Sequence, residues 1–91
     1  MTDPVDVKHL GKLIEELGEL QSAAARCLIQ GIDECEPTTG KPNRRWLREE
    51  LADVIAGIDL TMERFFEHES KPINDRVFAK KQRLRAWHGG A

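Results

Sequence analysis

The sequence is short of the features that build metal knuckles, membrane spans and sheets. It holds two cysteines, Cys27 and Cys35. They form no CxxC and stand near no histidine pair, so no structural zinc site is expected, and a reducing cytoplasm is the expected setting. No apolar run approaches the ~18 residues needed to span a membrane. The opening Met1-Thr2-Asp3-Pro4 lacks a basic stretch followed by an apolar one, so no secretory leader is expected. There is no internal repeat, no low-complexity tract and no strand-like alternation. There is also no Glu-x-x-His pair, which a di-iron carboxylate bundle would need. Asp6-x-x-His9 is the nearest approach, and His9 reads as a surface residue.

What remains is a charge-rich helical chain. Its 91 residues are 40% hydrophobic and 33% charged. That length suits one domain, residues 1–91, with a core too small to be comfortable alone. Association with a second copy would relieve the shortage, so a homodimer or a dimer of dimers is expected. The net charge of −2 is unevenly spread. From Arg76 onward there are five basic residues and no acid, which leaves the first 75 residues at −7. An acidic body with a basic tail does not look like a general nucleic-acid binder. It suits a site with a metal on one wall and phosphate on another.

The periodicity predicts an all-α fold, an antiparallel bundle of about three main helices completed by oligomerisation. The first helix runs from about Val5 to about Gln30, with Asp3 as N-cap and Pro4 at the first helical position. Leu10, Leu13, Ile14, Leu17, Leu20, Ala24 and Leu28 draw one apolar stripe on it. Gly31 is its stop. Residues 31–43 are rich in Gly, Pro, Asp, Thr and Asn and read as a loop. The second helix runs from about Arg44 to about His68, with Asn43 as its cap. Leu47, Leu51, Val54, Ile55, Ile58, Met62 and Phe65 form its main stripe. Ala52, Ala56 and Leu60 form a second one on another side. A helix apolar on two sides touches two neighbours. A basic third helix spans about 72–87, with Ile73, Val77, Phe78 and Leu84 facing inward, and Gly89-Gly90 ends it.

The chemistry sits in two similar runs. One is Glu15-Glu16-Leu17-Gly18-Glu19 and the other is Glu49-Glu50-Leu51-Ala52-Asp53. Each places carboxylates at i and i+3, on adjacent turns of one helix face. Glu16 and Glu19 read as lying away from the leucine stripe, and Glu50 and Asp53 as lying at the edge of theirs. Antiparallel packing across the loop would set the two pairs face to face. Four gathered carboxylates repel and raise one another's pKa, and a divalent cation resolves that repulsion. Oxygen-only ligands favour a hard ion, Mg²⁺ or Mn²⁺. A single EE run is ordinary solvated helix surface. Two runs of one form on consecutive helices are harder to read that way.

These two runs resemble those of MazG-like nucleoside triphosphate pyrophosphohydrolases, a superfamily that includes the dimeric dUTPases and the dCTP pyrophosphatases. Its members carry an EExxE and an EExxD run on neighbouring helices, matched here by Glu15-Glu16-x-x-Glu19 and Glu49-Glu50-x-x-Asp53. The similarity covers roughly Lys12 to Val54 well and the third helix loosely. The resemblance implies that Glu16, Glu19, Glu50 and Asp53 hold Mg²⁺. It implies cleavage between the α- and β-phosphates of a nucleoside triphosphate, giving monophosphate and pyrophosphate. Lys12 matches a lysine that some members carry one turn before the first acid. Lys80, Lys81, Arg83 and Arg85 fall in the region that often contacts phosphate, and Arg85-Ala86-Trp87 resembles an R-x-W ending. The loop is longer here than in compact members.

The expected mechanism follows from the chemistry. Mg²⁺ offsets charge on the phosphate oxygens while a carboxylate orients or deprotonates water, with Glu15 and Glu49 the candidates. Both also read as solvent-facing spectators, and the basic tail as a last turn complementing the helix dipole. Trp46, Phe65, Phe66 and Trp87 are available for base stacking or for the core. A function of another class, a non-catalytic helical interaction or assembly module, would bind no Mg²⁺ and turn nothing over.

Overall fold

The computed structural model describes residues 2–89. Met1, and Gly90 of the expected Gly89-Gly90 stop, lie outside the described residues. The chain forms three helices: α1 (Pro4–Gln30), α2 (Asn43–Phe65) and α3 (Ser70–Trp87). The Asp3 side chain caps α1 by accepting from the Val5 amide at 2.7 Å, and Pro4 opens the helix. A helix start leaves several amides without partners, and Asp3 satisfies one of them. Gly31 ends α1 at φ 108°, a backbone region that side chains rarely adopt, and its amide donates to the Cys27 carbonyl at 2.9 Å.

The connection to α2 is tied at both ends. The Cys35–Pro42 bridge closes it into a small hairpin, and the Asn43 amide donates to the Glu34 carbonyl at 2.9 Å. Asn43 is not the cap but the first residue of α2, wholly buried. Its Nδ2 donates to Gln30 Oε1 at 3.2 Å and to the Gly31 carbonyl at 3.0 Å. This clasp joins the end of α1 to the start of α2.

The two helices therefore run antiparallel. Arg64, near the end of α2, donates to Asp6 at 2.7 Å near the start of α1. His9 meets Phe65 edge to face at 6.5 Å, so it is half-buried in the seam and not a surface residue. Midway, Leu13 lies 3.5 Å from where a Cβ on Gly57 would stand, so the missing side chain allows the close approach.

The seam coincides with the expected stripes only in part, at Leu13 and Leu20 of α1 and at Leu47, Val54, Met62 and Phe65 of α2. On α1 the half-buried and buried positions are Asp6, His9, Leu13, Glu16, Leu20, Ala23, Arg26 and Cys27. On α2 they include Asn43, Leu47, Glu50, Val54, Gly57, Thr61 and Phe65. Leu10, Ile14 and Leu17 of α1 and Leu51, Ile55 and Ile58 of α2 stay exposed. At about 100° per residue both exposed sets fall on one flank of the antiparallel pair, and the acids fall on the other flank. The hairpin is two-faced, one side apolar and one side acidic.

The third helix departs from expectation. Only α1 and α2 pack extensively together, and α3 stands off from them. Ile73 is half-buried, but Val77, Phe78 and Leu84 are exposed and do not face inward within the chain. The radius of gyration is 16.2 Å, against about 12 Å expected of a compact domain of this length. Among the described residues, Ala23, Val54 and Asn43 are the fully buried ones. A core so thin cannot offset the entropy of ordering the chain by itself.

Candidate metal centre

The antiparallel hairpin brings the two acidic runs level with each other. Glu16 and Glu19 lie one turn apart on α1, and Glu50 and Asp53 one turn apart on α2. Each offers a carboxylate oxygen, and the four oxygens lie within 4.8 Å of one another. Glu16 belongs to the seam and not to a free face, and so does Glu50. The sequence pattern had placed Glu16 away from the packed side.

Two of the oxygens, Glu16 Oε2 and Glu50 Oε2, are buried without a hydrogen-bond partner. A buried acceptor left bare is costly and calls for an explanation. The neighbouring charges act in the same direction. Glu19 has its pKa raised, first by the charge of Glu16, then by desolvation, then by Glu50 and Glu15. Repulsion and bare acceptors would both be relieved by one cation among the four acids.

The remaining residues of the two runs are engaged differently. Glu15 is exposed and pairs with Lys12 at 3.3 Å, while Lys12 also reaches Glu16 Oε1 at 3.5 Å. Lys12 thus sits beside the four acids, its pKa raised by Glu15 and then Glu16. Glu49 lies outside the cluster. Lys41 and Arg45 hold its carboxylate and lower its pKa, Lys41 more strongly. Of the two, Glu15 is the one whose charge acts on the cluster, at Glu19.

Lys80, Lys81, Arg83 and Arg85 are exposed on α3 and, among the described residues, form no ion pair. Lys80 and Arg83 line a shallow cavity with Leu84 and Trp87 on α3 itself. One chain does not bring these cations to the acids.

A cavity of about 390 Å³ adjoins the acids, lined by Glu19, Ser22, Ala23, Arg26, Glu36, Trp46 and Glu50. Small-molecule sites span roughly 300–1,000 Å³. Trp46 forms its floor, half-buried under Lys41 at 3.8 Å and near Arg26 at 5.7 Å. Glu36 is fixed by its own loop, accepting from the Thr38 amide at 3.0 Å and from the Thr39 amide and hydroxyl at 2.7 Å. Those bonds pull its pKa down to about 2. Arg26 and Glu36 were not singled out by sequence. Arg26 lies seven residues after Glu19, two turns along the same face, and that spacing is the signal that could have found it.

Comparison with known proteins returns no matching family model, no matching curated protein and no matching solved structure.

Proposed function

We propose that the chain is a Mg²⁺-dependent nucleoside triphosphate pyrophosphohydrolase of the MazG type, acting as a homodimer or dimer of dimers. The observation that carries this reading is the convergence of Glu16, Glu19, Glu50 and Asp53 within 4.8 Å, with two oxygens buried and bare. An octahedral Mg²⁺ with bonds of about 2.1 Å needs ligands no more than roughly 4 Å apart. Small rotations of exposed Glu19 and Asp53 would close that difference. All four donors are carboxylate oxygens, the chemistry a hard ion prefers.

Glu16, Glu19, Glu50 and Asp53 would hold the ion, which supplies charge neutralisation at the phosphate oxygens. Glu15 would orient a water and take its proton. The water oxygen bonds to phosphorus as the α–β anhydride bond breaks, leaving monophosphate and pyrophosphate. Lys12, held between Glu15 and Glu16, offers a cation at the edge of the acids. Lys80, Lys81, Arg83 and Arg85 would reach phosphate from the α3 of a second copy, docked through the exposed apolar residues.

The test is turnover of a panel of canonical and modified NTPs and dNTPs with Mg²⁺, with products separated by chromatography. Monophosphate and pyrophosphate are expected. A diphosphate product would reject the assignment. The second reading, a non-catalytic assembly module, is favoured by the exposed Phe78 and Trp87 on a helix that stands off from the hairpin. It predicts no turnover and no response to Mg²⁺.

A further inference from the structure

The cavity beside the acids is lined from both helices and from the loop between them. Glu19 and Glu50 belong to the acidic cluster, while Arg26, two turns further along α1, and Trp46, one turn earlier on α2, lie toward the loop that carries Glu36, so the cavity has an acidic end and a loop end. Arg26 is half-buried and, among the described residues, forms no ion pair, although Lys12, Lys41, Arg44, Arg45 and Arg64 all do. Its guanidinium offers up to five N–H donors in a planar fork. Glu36 is the opposite case. An ionised carboxylate has about four acceptor positions on its two oxygens. Two on Oε2 are taken by Thr39 and one on Oε1 by Thr38, so one position on Oε1 remains. A donor fork and a carboxylate with one spare acceptor position thus line the same cavity as the Trp46 indole.

We propose that this end of the cavity reads a nucleobase bearing an exocyclic amino group, with Arg26 donating to a ring or carbonyl acceptor and Glu36 Oε1 accepting from the amine. The proposal rests on the pyrophosphohydrolase reading, because the acidic end would then hold the phosphates and the base would extend away from it. A phosphate at the far end is disfavoured by Glu36, which stays ionised at any neutral pH. A base with a carbonyl in place of the amine would set its lone pairs against that carboxylate. A site built to bond one group rejects the analogue that lacks it. Cytosine and uracil differ at this edge in that way.

The experiment compares dCTP with dUTP under Mg²⁺, for the full-length chain and for the Glu36→Gln and Arg26→Met variants. Wild type is expected to favour dCTP by about tenfold or more in kcat/KM, chiefly through KM. Glu36→Gln, which adds an amide donor, should bring the ratio close to one. Arg26→Met, on the rigid face of α1, should raise KM for both nucleotides. A wild-type ratio near one, a ratio untouched by Glu36→Gln, or an unchanged KM in Arg26→Met overturns the proposal. The same chain is titrated with CMP and UMP without metal, following the Trp46 indole and the Thr38 and Thr39 amides by NMR. If no triphosphate turns over, the hydrolase reading fails alone. The base reading then stands if CMP shifts those signals more than UMP does, and falls if neither does.

Discussion

At the residue scale, the acids separate stability from chemistry. Glu19 is exposed and sits in the field of Glu16, Glu50 and Glu15. Neutralising it removes a repulsion, and so does neutralising Asp53. We expect Glu19→Gln and Asp53→Asn each to abolish turnover while the metal-free protein melts no lower than wild type. Mg²⁺ should raise the melting temperature of wild type by mass action, and less so in either variant. Thermal melts with and without Mg²⁺, beside the turnover assay, check this. Near-normal activity with an unchanged Mg²⁺ response would make the four acids an ordinary solvated face. Glu36 behaves oppositely. Its pKa is depressed from 4.5 to about 2 by the Thr38 and Thr39 bonds. A depressed carboxyl stabilises the fold above its unfolded pKa, and that contribution is lost as pH falls through the folded one. Amide exchange at Thr38 and Thr39 should therefore stay slow at neutral pH and lose protection progressively from about pH 4.5 toward pH 2. Protection that persists unchanged to pH 2 would contradict the bonding.

At the scale of elements, local signals were legible and the choice between neighbouring faces was not. Asp3, Pro4 and Gly31 mark the ends of α1 because each solves a definite backbone problem there. The end of α2 carries no such mark. It stops at Phe65, where the Phe66 amide closes back on the Met62 carbonyl at 2.8 Å, and not at His68. Pro72 suggested a later start for α3 than Ser70. It lies in the first turn, where a missing N–H costs nothing. The leucine stripe and the true seam coincide only in part, and periodicity cannot tell which of two adjacent faces meets the partner helix. The pairing of Glu16 and Glu19 with Glu50 and Asp53 was legible because it depends only on antiparallel packing. The Arg26–Glu36–Trp46 end was not, because it depends on how the loop folds back. The clasp that sets the pairing can be tested. Asn43→Ala removes both side-chain bonds of the clasp and leaves the Gly31 carbonyl with the Glu34 amide alone, and chemical denaturation should show a loss of about 1–3 kcal/mol. An unchanged midpoint would mean that water replaces the amide.

At the scale of the molecule, many large apolar side chains stay exposed. Ile14 is 69% exposed, Ile55 57% and Phe78 63%. Ile14 and Ile55 lie on the apolar flank of the hairpin and Phe78 on α3, and exposed patches of this kind are typical of association surfaces. We expect light scattering at micromolar concentration to give at least a dimer mass, with a melting temperature that rises with concentration. Ile55→Asp, harmless on a free surface, should lower both. A monomer mass for wild type, or no effect of Ile55→Asp, would mean that the flank is simply wet.

The Gln30–Gly31–Asn43 clasp has a consequence for how such a hairpin can be altered. Because the Asn43 side chain fastens Gln30 and Gly31 directly, the level at which Glu19 meets Glu50 does not rest on the hairpin tip at residues 36–41 alone. We expect the tip of the intervening hairpin to tolerate other lengths and compositions. On the hydrolase reading, exchanging it would retune the loop end of the cavity while leaving the acids in register, so that selectivity and chemistry could diverge independently along one short polypeptide.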